Sequence, residues 1–149
     1  METPGDRFVH GLLRAAGVTG DMLDLSGKLG GDRATVRIVL AAMMKTTELK
    51  NCNLLKNNLD IELATMLAKI GTEKGILLSG MERGQTEANF SSQGLQPADA
   101  FLIRSDLQFM AVLTELNLRV NGIGPEGANA IAEALKDPLK DRSGFVLKL

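Results

Sequence analysis

The chain has 149 residues, 44% of them hydrophobic and 23% charged, enough for one domain with a buried core. A formal net charge of −1, with no tryptophan and no tyrosine, argues against an electrostatic grip on nucleic acid and against a base-stacking platform. A lone cysteine, Cys52, cannot close an internal disulfide, and no apolar run reaches membrane-spanning length, so no membrane insertion is expected. The first twenty residues lack the apolar segment of a secretory signal. The expected location is intracellular and cytoplasmic, or an organelle if a targeting segment is removed ahead of Met1.

In chain order, Pro4, Gly5 and Asp6 mark a helix start. Phe8, Val9, Leu12, Leu13 and Ala16 follow at helical spacing, predicting a capping helix over residues 1–19. Residues 20–48 carry Leu23 and Leu25 in a strand, Leu29 in a glycine-bearing turn, and Val36, Leu40 and Met43 on a helix. The pattern returns over 49–75, with Leu49, Cys52 and Leu54, then Asn57 and Leu59, then Ala64, Leu67 and Ile70. Residues 76–112 repeat it with an insertion. The step from Cys52 to Ala88 is 36 residues rather than 28, and Ile76, Leu77 and Leu78 in the excess read as an additional strand of the same sheet. Ala88, Phe90, Gln93, Leu95, Ala100, Ile103 and Leu107 then form the third copy, with Pro97 suited to the first turn of its helix.

The sharpest copy spans 113–140. Leu116 and Leu118 alternate with polar residues in a strand's period, Asn121 ends it, and Ala128, Ile131, Ala134 and Leu135 recur at helical spacing. Leu147 and Leu149 sit 31 residues after Leu116 and Leu118, so residues 141–149 read as the strand of a partial repeat. Written as L-x-x-L-x-L-x-x-N-x-I followed by G-x-x-x-I-x-x-A-L, the 113–135 unit resembles a leucine-rich repeat of the ribonuclease-inhibitor-like kind. The resemblance implies an α/β solenoid, a horseshoe segment with a parallel sheet on the concave face and helices on the convex face, as a single domain over 1–149. It also implies a binding module. Asn57 and Asn121 are expected to satisfy the turn's peptide groups from inside and to stack as a ladder, the loss of one amide costing about 1–3 kcal/mol.

In such a sheet the residues between the leucines face outward in columns. One column reads Asp24, Asn53, Asn89, Asn117 and Lys148, the next Ser26, Leu55, Ser91 and Arg119, and a third contains Lys56, Ser92 and Val120. Asn53, Leu55, Lys56, Asn89, Asn117, Arg119 and Val120 are therefore the expected partner-binding residues, with Leu55, Arg119 and Val120 as anchors. The function this favours is a non-catalytic protein-interaction scaffold or accessory subunit of a larger assembly, binding through the strand face or the open ends. Two alternatives are a GTPase-activating protein resembling the Ran regulators, with Arg119 acting on the nucleotide site or positioning the GTPase, and a fragment of a longer repeat receptor.

No catalytic residue, cofactor site or metal site is expected. Gly122 to Gly127 spell G-x-G-x-x-G, but the copy 64 residues earlier places Asn58, Asp60 and Leu63 there, so the turn needs no nucleotide to explain it. His10 is the only histidine and has no ligand cluster near it. Cys52 takes an inward strand position and reads as a buried apolar side chain rather than a nucleophile. Met43, Met44 and Met66 suit packed helix faces, and Asp99 and Asp106 read as solvated helix carboxylates.

Overall fold

The computed structural model describes residues 22–29, 33–45, 49–136, 142 and 144–149; the expected 1–19 helix, His10 and the Asp137-Pro138 helix end lie outside them. Among the described residues the elements alternate as β1 (Met22–Asp24), α1 (Arg33–Lys45), β2 (Asn51–Asn53), α2 (Ile61–Lys74), β3 (Glu87–Asn89), α3 (Pro97–Leu107), β4 (Glu115–Asn117), α4 (Gly124–Ala134) and β5 (Val146–Lys148). Every strand pair is parallel, as the alternation requires. The register puts Leu23 beside Cys52, Ala88 beside Leu116, and Leu116 beside Leu147. The offset of 31 residues read for the last strand therefore holds.

The strand leucines and the helix stripes meet in one buried cluster. Leu23, Cys52, Ala88 and Leu116 enter it from the strands, and Val36, Leu67, Ile103 and Ile131 from the helices. Helices pack in sequence, α1 on α2, α2 on α3 and α3 on α4. The last contact is close. A Cβ on Gly127 would lie 2.9 Å from the Ala100 Cβ, so this glycine serves helix packing. Gly124, at φ +68°, serves the turn into α4, and two of the glycines in the G-x-G-x-x-G string thus have local structural work.

Caps fix the helix starts. Asp60 accepts from the Leu63 N–H at 2.7 Å ahead of α2, and Asp99 accepts from the Gln96 N–H at 2.8 Å ahead of α3, where Pro97 takes the first position as expected. The methionines divide. Met43 is buried, whereas Met44 and Met66 are exposed, which corrects the expectation that all three pack.

One continuous sheet was expected, and two are found. β1 and β2 form one, β3, β4 and β5 the other. Residues 76–78 do run beside β2, but as a single parallel bridge from Leu77 to Asn51, with the Cys52 N–H donating to the Leu77 carbonyl at 2.8 Å. On from that bridge the Leu78 carbonyl still accepts from the Leu54 N–H at 2.9 Å, but the N–H groups of the segment meet a side chain rather than a strand. The Asp106 carboxylate of α3 accepts from the N–H groups of Leu78 (2.7 Å) and Ser79 (2.9 Å) and from the Ser79 hydroxyl. Peptide groups that a neighbouring strand would have paired are thus closed by a helix residue.

This overturns the reading of Asp99 and Asp106 as solvated: both are buried, Asp106 fully. Burial raises the Asp106 pKa to about 7, against the hydrogen bonds from Ser79 and Leu78 that favour its ionised form. Burial likewise raises Asp99, which accepts from the N–H groups of Gln96 and Lys56.

Candidate functional site: the outward strand face

Four strand ends share one local device. Asp24, Asn53, Asn89 and Asn117 each turn a side-chain oxygen back onto the N–H two residues on, at Ser26 (3.0 Å), Leu55 (3.1 Å), Ser91 (3.0 Å) and Arg119 (3.0 Å). These are Asx-type turns, and they commit the acceptor oxygens of the first column to the backbone. Asp24 shows the electrostatic consequence. Hydrogen bonding from the Ser26 side chain, helped by nearby Lys28 and Lys56, holds its carboxyl below the usual value.

One residue further, the chain turns through the left-handed region in every unit. Gly27, Lys56, Ser92 and Val120 occupy equivalent places with φ of 67°, 64°, 56° and 60°. Glycine adopts that conformation without strain, and a β-branched valine does not. Val120 is also 78% exposed, so packing does not compensate it. Val120→Gly should therefore raise stability by about 1 kcal/mol, read as a higher denaturation midpoint. An unchanged or lower midpoint would mean that the valine is held there by contacts the turn geometry does not reveal.

The register places the expected residues in two groups. Asn89, Asn117 and Lys148 stand side by side across β3, β4 and β5, and the Lys148 ammonium pairs with Glu115 at 2.7 Å. Arg119 and Val120 continue outward from β4 and are exposed. Asp24 and Asn53 are partners in the other sheet, and Asn53 does not stand beside Asn89, because the insertion comes between β2 and β3.

At that break lies a cleft of about 230 Å³, whose lining includes Ser26, Asn53, Lys56, Ser79, Asn89 and Gln93. Four of the seven expected binding residues line it, namely Asn53, Leu55, Lys56 and Asn89. Leu55 requires a correction. It is 2% exposed and belongs to the core, at the edge of a cleft that it lines together with Ser79, Gly80 and Met81 of the insertion. Asn53 is half-buried, with its amide nitrogen against Gly80, where a Cβ would lie 2.8 Å away. Ser79, Gln85 and Gln93 line the cleft unanticipated. For Ser79 and Gln85 the signal was the eight-residue excess itself, which brings polar side chains to the face that it interrupts; Gln93 belongs to the third copy, at the place of Asn121.

The inside of the turns matches expectation. Asn57 accepts from the Leu29 N–H (2.8 Å) and donates to the Leu25 and Leu54 carbonyls (both 3.0 Å). Asn121 accepts from the Gln93 and Leu95 N–H groups (both 3.0 Å) and donates to the Phe90 and Leu118 carbonyls. Each amide ties its own turn to the preceding one. The two amides share no partner, and other backbone groups are closed by carboxylates, Asp99 accepting from Lys56 and Asp106 from Leu78 and Ser79.

Cys52 sits inward as read, and burial pushes its thiol up to about 12, leaving it protonated. Among the described residues no three His, Cys, Asp or Glu side chains group to hold a metal, and no helix is long and apolar enough to cross a membrane. Comparison of the chain with protein-family models, curated proteins and solved structures gives no match.

Proposed function

We propose that the chain is a protein-binding module of leucine-rich-repeat type, a scaffold or accessory subunit that offers its outward strand face to a protein partner. The observation that carries this reading is the strand end at β4, where a strained and exposed Val120 stands beside an exposed Arg119 at the end of three strands in parallel register. The turn imposes a positive φ in each unit, and keeping an exposed β-branched valine there, where glycine would be unstrained, supports a contact role for that side chain. The cleft at the sheet break extends that surface with side chains able to donate and accept hydrogen bonds, beside a lysine.

The test is association. A partner that co-purifies with the chain from its source should be lost from pull-downs when Arg119 is changed to Glu. Undiminished capture by Arg119→Glu would remove this face from the proposal.

A further inference from the structure

Helices α2, α3 and α4 enclose a groove of about 490 Å³, distinct from the strand face. Its apolar floor includes Ala68, Phe101, Leu107 and Ala134. Its walls are tied together, since the Ser105 hydroxyl donates to the Ala68 carbonyl at 3.3 Å and the Gln108 amide to the Thr72 hydroxyl at 2.8 Å. A groove with fixed walls is partly organised for a ligand before one arrives.

The charge around it is one-sided. Among the described residues, Lys69, Arg104 and Arg142 line the groove against one carboxylate, Glu133. Arg142 is engaged by the backbone, donating to the Leu107 (2.8 Å) and Met110 (3.1 Å) carbonyls with its guanidinium over the Phe145 ring. Its charge stays at the groove while its geometry is occupied. Lys69 and Arg104 are exposed on facing helices.

We propose that this groove docks an acidic segment of a partner protein, with one apolar side chain seated on Phe101 and Ala134 between carboxylates that pair with Lys69 and Arg104. The apolar floor favours such a segment over a phosphate backbone, which needs a row of cations and no apolar seat. The strand-face reading is independent of this surface, and either can fail alone.

Selecting a displayed random peptide library on the full chain tests the proposal. The expected result is enrichment of peptides with Asp or Glu on both sides of a Leu, Phe or Trp. Their binding should weaken at least tenfold, roughly, when Lys69→Glu and Arg104→Glu are combined, weaken with added salt, and persist in Arg119→Glu. The milder pair Lys69→Gln and Arg104→Gln, matched to the parent in circular dichroism and melting, should give a partial loss and so separates lost docking from lost folding. Recovery of peptides with no acidic enrichment would overturn the proposal. So would acidic peptides that bind the charge-reversed pair undiminished, or that are lost only with Arg119→Glu.

Discussion

Replacing Asp106 by Ala is expected to destabilise the protein by about 3 kcal/mol or more, because it strips the buried N–H groups of Leu78 and Ser79 and the Ser79 hydroxyl of their acceptor at one stroke. The same carboxyl makes stability depend on pH, in the sense opposite to a surface ion pair. Its pKa is raised in the folded chain, from 3.8 to about 7, so between those values the folded state holds a proton that the unfolded state has released. The stabilisation is full below about pH 4 and is lost as pH rises through about 7, at roughly 1.4 kcal/mol per pH unit inside that window. Asp99, also raised, contributes with the same sign. Denaturant unfolding at pH 5 and pH 8 should show the parent more stable at pH 5. Asp106→Asn, which cannot ionise, should flatten most of that difference. Equal parent stability at the two values would mean that Asp106 is ionised throughout.

The second large effect is expected at Asn57. Asn57→Ala removes three buried bonds and leaves the Leu29 N–H and two carbonyls, those of Leu25 and Leu54, to find partners, at about 1–3 kcal/mol for the first orphaned group and more for the set. Asn57→Asp restores the acceptor for Leu29 but presents a carboxylate to two carbonyls, and should recover little. Asn121→Ala should cost less than Asn57→Ala. Asn57 is fully buried, whereas Asn121 is half-buried and water can reach part of what it leaves. Urea midpoints of the two variants side by side check the order, and a neutral Asn57→Ala would remove the turn amide from the account.

The legible part of the fold is the part in which a residue type has one physical use. Leu116, Leu118 and Ile131 recur at spacings that only strand and helix faces explain, and an amide at Asn57 or Asn121 has donors and an acceptor to place inside a turn. Pro97 at a helix start and the 31-residue step to Leu147 followed from the same rules.

Asp106 was opaque for the opposite reason. A carboxylate on a helix is ordinarily solvated, and its burial becomes intelligible only when the N–H groups of Leu78 and Ser79 are seen to have no strand partner. Leu55 read as an outward anchor because the columns assumed an uninterrupted sheet, whereas it is buried beside the break in that sheet. Val120 read correctly as exposed but gave no sign of its backbone conformation. Gly27 at the equivalent place was the one hint that the turn demands positive φ.

Backbone groups outside strands and helices are closed by buried or half-buried side chains that tie one strand-turn-helix unit to its neighbour. Native-state hydrogen exchange at the amides of Leu29, Lys56, Leu78, Ser79 and Leu95 measures this directly, since each donates to Asn57, Asp99, Asp106 or Asn121. These five should exchange as slowly as the amides of the strand cores beside them. Exchange as fast as at exposed Gly84 would show those side chains closing nothing, and the stacking of the units with them.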